Sequence, residues 1–224
     1  MGEKIELVAS DGHRLSAYRA DPAGAPRGGV VVIHEVWGVN SWVRSVADRY
    51  AREGYLAIAP GMFDRMHFGY ESEDYSPGYF ASIRQMMTGF DADAALLDVA
   101  AAVAAAGEAG RVGITGFCFG GRIAWRAAAA GLGLSAASGY YGGGVPDYID
   151  LAPQTPTEMH FGDADKGIPL EQVEALKARH PAVPIYVYAA GHGFCNSDRP
   201  ENFDEAACRT ASARSLALFR QHIG

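Results

Sequence analysis

The chain has 224 residues, 49% of them hydrophobic and 20% charged, with a formal net charge of −7. That balance supplies a substantial core and excludes an intrinsically disordered chain, while the negative charge argues against nucleic acid or an anionic membrane as a partner. It does not exclude a small anionic substrate, which a local arginine can hold against the global field.

The opening residues, MGEKIELVAS, alternate and lack the pattern of a signal peptide. No run of about 18 apolar residues occurs, so no membrane span is expected. Lys4-Ile5-Glu6-Leu7-Val8 and Leu15-Ser16-Ala17-Tyr18 flank the turn signal Asp11-Gly12 and predict an antiparallel hairpin at a sheet edge. Gly29-Val30-Val31-Val32-Ile33 is continuously apolar, as for a strand buried on both faces. Ser41 to Glu53 has helical spacing and ends at Gly54; Tyr55 to Ala59 is the next strand, stopped by Pro60-Gly61. Residues 61–90 are irregular and aromatic, too long for a plain connection, and read as part of a pocket wall. Asp91 to Ala106 is an alanine-rich, closely packed helix. Strands then follow at 112–117, 134–140, 157–161 and 185–190, with helices at 119–130, 169–179 and 204–221. This alternation predicts an α/β fold, a mostly parallel, doubly wound sheet with helices on both faces and the hairpin at its start. No repeat or linker interrupts it, so residues 1–224 are expected to form a single domain.

The three cysteines are Cys118, Cys195 and Cys208. So sparse and odd a count predicts no disulfide framework and fits a reducing cytoplasm. Cys195, close to His192 in sequence, reads as filler in preference to a pocket-lining residue, and no histidine–cysteine spacing suggests zinc.

The informative segment is Val112-Gly113-Ile114-Thr115-Gly116-Phe117-Cys118-Phe119-Gly120-Gly121-Arg122. An apolar strand leads into Gly-x-Cys-x-Gly and then a helix, the pattern of a nucleophile elbow with cysteine in place of serine. The helix N-terminus favours thiolate over thiol. An isolated cysteine in a glycine-rich turn is more often structural; a phosphate-binding loop is disfavoured by the missing Gly-x-Gly-x-x-Gly spacing and Walker lysine. What turns the balance is the order of partners downstream: nucleophile, acid, histidine. Phe161-Gly162-Asp163-Ala164-Asp165-Lys166-Gly167-Ile168-Pro169 follows one strand and Gly191-His192-Gly193-Phe194 another. Spacing alone leaves Asp163 and Asp165 both open as the acid.

With His34-Glu35-Val36-Trp37-Gly38-Val39-Asn40 added, these motifs resemble the dienelactone hydrolase family, the carboxymethylenebutenolidases, over residues 34–194. The resemblance implies an α/β-hydrolase fold and places the acid four residues before the proline, at Asp165. It implies that Glu35 accepts the thiol proton as substrate enters, and that the backbone N–H groups of Val36 and Phe119 form the oxyanion hole, one from each loop as in other α/β-hydrolases. The chain departs from the pattern at Asn196, where an arginine that holds a substrate carboxylate is expected; Arg199 is near in sequence, and Arg65 and Arg84 flank the aromatic segment, but no motif places any of them. Trp37, Tyr79 and Phe194, with Arg65, Arg84 and Asn196, are candidate substrate-binding residues. The expected activity is hydrolysis of a small lactone or ester by Cys118, His192 and Asp165 through a thioacyl intermediate, with no metal or organic cofactor. A monomer or small homo-oligomer would suffice, with a small molecule as its partner. The rival readings are a thiol hydrolase or acyltransferase for another acyl substrate, and a non-catalytic binding protein on the same fold.

Overall fold

A computed structural model describes residues 2–224, which fall into two compact units meeting in sequence at Gly110 and Arg111. In the first unit, β1 (Glu3–Val8) and β2 (Arg14–Ala20) form the expected hairpin, with Ile5 opposite Ala17. β2 runs antiparallel to β4 (Leu56–Pro60), which is parallel to β3 (Gly29–Ile33). All five residues of β3 are buried, as its unbroken apolar run requires.

Helix α1 (Ser41–Arg52) starts where Asn40 accepts the backbone N–H of Val43 at 3.2 Å, and the chain turns away at Gly54, whose φ is +95°. In α3 (Ala94–Ala106) the buried Ala95, Val99, Ala102 and Ala106 line one helical face. A Cβ on Gly29 would lie 2.3 Å from the Ala106 carbonyl oxygen, so the alanines and this glycine together permit close contact between helix and strand. The irregular reading of residues 61–90 needs correction. Pro77–Met86 form a helix, α2, started by Ser76, whose hydroxyl accepts the Tyr79 N–H at 3.3 Å, with Pro77 in its first turn.

The second unit holds β5 (Val112–Phe117), β6 (Leu134–Tyr140), β7 (Thr157–Gly162) and β8 (Ile185–Tyr188), paired in that order and all parallel. Between them run α4 (Phe119–Ala130) and α5 (Leu170–Arg179), and α6 (Glu205–His222) closes the chain. α6 packs tightly on β5: a Cβ on Gly113 would lie 2.4 Å from Ile223 Cδ1. β8 ends two residues short of the predicted 190, because the Ala190 N–H turns back onto the Tyr188 carbonyl at 2.8 Å. That turn releases Gly191-His192 into a loop. Across both units the strands and helices form the mostly parallel α/β arrangement with an N-terminal antiparallel hairpin.

Candidate active site

The elbow is built by glycines that cannot be replaced cheaply. A Cβ on Gly116 would sit 2.0 Å from the Gly120 carbonyl oxygen, and one on Gly121 2.6 Å from that of Tyr140. Strand β5 and helix α4 therefore approach closely enough to force the residue between them out of ordinary backbone space. That residue is Cys118, with φ 53°. Its N–H donates to the Tyr140 carbonyl at 2.9 Å, and its carbonyl accepts the Gly121 N–H at 3.0 Å. The thiol is partly exposed at the N-terminus of α4, where the helix dipole favours negative charge.

His192 comes to this sulfur from the loop after β8. Its Nε2 lies 3.1 Å from Cys118 Sγ and its Nδ1 2.7 Å from Asp165 Oδ2. A carboxylate only accepts, so Nδ1 carries the proton and donates it. Asp165 is buried, and its other oxygen accepts the Gly167 N–H at 2.8 Å, which fixes the carboxylate plane. Asp163 is exposed on the same loop. Burial alone would push the His192 pKa down; the Cys118 thiolate and the Asp165 carboxylate outweigh it and raise it to about 11. His192 is therefore held as an imidazolium at neutral pH, facing the Cys118 sulfur.

The loop carrying His192 is tied at several points. Gly193 takes φ +78°, and the Asn202 side-chain amide donates to the His192 carbonyl at 2.9 Å. The Asp204 N–H donates to the Phe194 carbonyl at 3.0 Å, folding the start of α6 back onto the loop. There the structure corrects the cysteine reading: Cys195 and Cys208 form a disulfide across 13 residues. Cys195 is a cross-link rather than filler, and the cysteine count no longer argues for a reducing compartment. The bond arises because the return at Asp204 brings the two buried residues together. Phe194 is fully buried against Tyr140, Tyr141 and Tyr188. Asn196 is also fully buried, its side-chain oxygen accepting the Asp198 N–H at 3.0 Å. Both residues, expected as substrate contacts, are thus buried within the loop. Asn202 and the disulfide escaped the sequence reading, since neither bears a motif.

The remaining expected residues lie in the first unit. Glu35 and Val36 are buried in the loop after β3. His34 holds that loop: its Nε2 accepts the Met62 N–H at 3.0 Å, so Nδ1 carries the proton and donates to the Glu35 carbonyl. Burial pushes the His34 pKa down to about 4, which keeps this ring neutral. Trp37 is buried against Tyr75, Tyr79 and Phe80. Arg84 is exposed on α2. The Arg65 guanidinium pairs with Asp98 at 2.8 Å and with Asp11 at 2.7 Å.

Among the described residues no helix is long and apolar enough to cross a membrane, and no group of three or more His, Cys, Asp or Glu side chains is placed to hold a metal. Residues 15–223 match the model of the dienelactone hydrolase family. A Salmonella typhimurium protein of the carboxymethylenebutenolidase type is 35% identical over 245 aligned residues, covering 98% of this chain and 87% of the relative. The carboxymethylenebutenolidase of Pseudomonas sp. strain P51 is 29% identical, covering 98% of this chain and 95% of its own. A dienelactone hydrolase-type crystal structure from Klebsiella pneumoniae superposes with a TM-score of 0.84 at 30% identity, covering 98% of this chain and all of that one. The chain belongs to the dienelactone hydrolase family and is a lactone or ester hydrolase acting on small-molecule substrates.

Proposed function

We propose that Cys118 is the nucleophile of this hydrolase and that His192 and Asp165 complete its triad. The observation that carries the reading is the unbroken chain of contacts from Sγ through the imidazole to a buried carboxylate, at the mouth of a strained strand-to-helix elbow. The thiolate attacks the acyl carbon of an ester or lactone, and the Phe119 N–H, with the Val36 N–H by the family pattern, takes the developing oxyanion. The alkoxide leaves with the proton of the His192 imidazolium, and a thioester remains on Cys118. Neutral His192, its Nδ1–H held by Asp165, then removes a proton from water. Attack at the thioester carbon breaks the C–S bond, releasing the carboxylic acid and restoring the thiolate–imidazolium pair.

The test is to quench the enzyme during turnover of p-nitrophenyl acetate and weigh the intact chain. Acetyl mass mapped to Cys118, absent after prior alkylation with iodoacetamide, is the expected result; turnover by the alkylated chain overturns the assignment. A panel of neutral and carboxylate-bearing lactones then ranks substrates, with Asn196 in place of the family's arginine favouring the neutral ones.

By the family pattern Glu35 receives the thiol proton when substrate enters. Glu35→Gln is expected to lower ester cleavage by ~10²-fold while leaving iodoacetamide labelling of Cys118 at neutral pH unchanged or faster, since a nearby carboxylate disfavours a thiolate. Full esterase activity of the variant between pH 6 and 9 would exclude this role.

A further inference from the structure

Two non-glycine residues among those described have positive φ: Cys118, the elbow, and Tyr141, at 36°. Strained backbone of this kind persists where the surroundings hold it and is concentrated at functional sites. Tyr141 follows the last residue of β6 and precedes Gly142-Gly143-Gly144. Glycine would take a left-handed conformation at no steric cost, yet the chain places this one on a tyrosine.

The backbone around it is over-determined. The Tyr141 N–H donates to the His160 carbonyl at 2.7 Å, and the carbonyl just before it, that of Tyr140, accepts the Cys118 N–H. Tyr140 is anchored in turn by its hydroxyl on Ser215, and its ring packs on His160 at 4.6 Å. Turned by its unusual φ, the fully buried Tyr141 ring meets His192 edge to face, with centroids 5.2 Å apart. Phe194 backs it at 5.1 Å and Phe117 at 6.2 Å. One strained residue thus joins the two halves of the chemistry: its own backbone is continuous with the carbonyl that holds the nucleophile, and its ring bears on the histidine.

The geometry points to Tyr141 as a positioning residue for His192, needed above all for hydrolysis of the thioester. This inference rests on Cys118 and His192 acting as proposed. In the resting enzyme the imidazole is held at both nitrogens, by Asp165 and by Cys118. Once the sulfur is acylated it carries no charge and the Nε2 contact loses its strength. His192, whose side chain is 33% exposed, then keeps Asp165 on one side and the Tyr141 ring against its face. That is the moment at which Nε2 must stay aimed at a water molecule. Acylation begins from the doubly held ring, so it depends less on Tyr141.

The test separates the two steps by pre-steady-state release of p-nitrophenol from p-nitrophenyl acetate. Tyr141→Leu is expected to retain the burst rate within a few-fold and to slow deacylation by ~10–10²-fold, a misplacement effect; Tyr141→Phe, which keeps the ring, is expected to match wild type in both. Equal slowing of both steps, or unchanged deacylation in a folded Tyr141→Leu, overturns the proposal. Should Tyr141→Leu not fold, Phe194→Leu loosens the same ring from behind and carries the same expectation of selectively slower deacylation, with equal or absent effects again overturning it. Absence of a burst and of acetyl-Cys118 in the wild-type enzyme would instead be the failure of the nucleophile assignment.

Discussion

Cys118→Ala is expected to abolish ester and lactone hydrolysis, by at least ~10³-fold as for other triad knockouts, in a chain that still folds. The substitution removes the sulfur alone. The elbow is held by backbone contacts, from Cys118 N–H to Tyr140 and from Gly121 N–H to Cys118, which alanine keeps. Its strained φ of 53° is present in both proteins, so alanine adds no new backbone cost. The variant should also show a second change. The thiolate is a leading cause of the raised His192 pKa, so its removal is expected to bring the imidazole down from about 11, as followed by histidine NMR. Residual turnover above roughly a tenth of wild type, with the catalysed step confirmed to be the same, would sink the nucleophile assignment.

Asp165→Asn is expected to lower kcat/KM by ~10²–10⁴-fold, and Asp163→Asn to have a far smaller effect. Asp165 accepts two hydrogen bonds, from His192 Nδ1–H and from the Gly167 N–H. An amide has a single accepting oxygen. If that oxygen stays with Gly167, the NH₂ group faces Nδ1 and can only donate to it. The imidazole then carries its proton on Nε2, the nitrogen that must accept one. Asp163 is exposed, and its observed tie to the fold is its own backbone N–H on the Tyr188 carbonyl at 2.8 Å, which asparagine retains. Paired rate measurements on the two variants decide the matter; equal losses, or the larger loss at Asp163, would reverse the assignment.

What could be read from the sequence was local geometry. Gly116 and Gly121 stand on either side of Cys118 because a Cβ at either would strike the backbone of Gly120 or Tyr140, and such spacing is visible in a linear chain. The unbroken apolar run of β3 reports burial on both faces in the same way. The choice between Asp163 and Asp165 is a different matter, because both follow β7 within three residues and which one turns inward is decided by the loop's hydrogen bonds to Gly167 and His192. Family resemblance favoured Asp165; periodicity was silent. Helix α2 was overlooked because the aromatic residues around it mask the Ser76-Pro77 start signal. Tyr141 gives no sign in sequence, since its φ is imposed by partners from β7 and by the rings around it.

Three cysteines admit three pairings, and the one observed, Cys195 with Cys208, is the one that leaves Cys118 a free thiol. Oxidation during assembly is therefore a race between a single productive cross-link and two that consume the reactive sulfur. The fold biases the race by docking the start of α6 on the His192 loop through Asp204 and Phe194. Chains oxidised before that docking are partitioned among all three pairings, and thiol exchange returns the two that consume Cys118 to the pool. Every pairing leaves one thiol per chain, so the position that an alkylating reagent labels, Cys118 or one of the other two, reports the order in which the molecule was assembled.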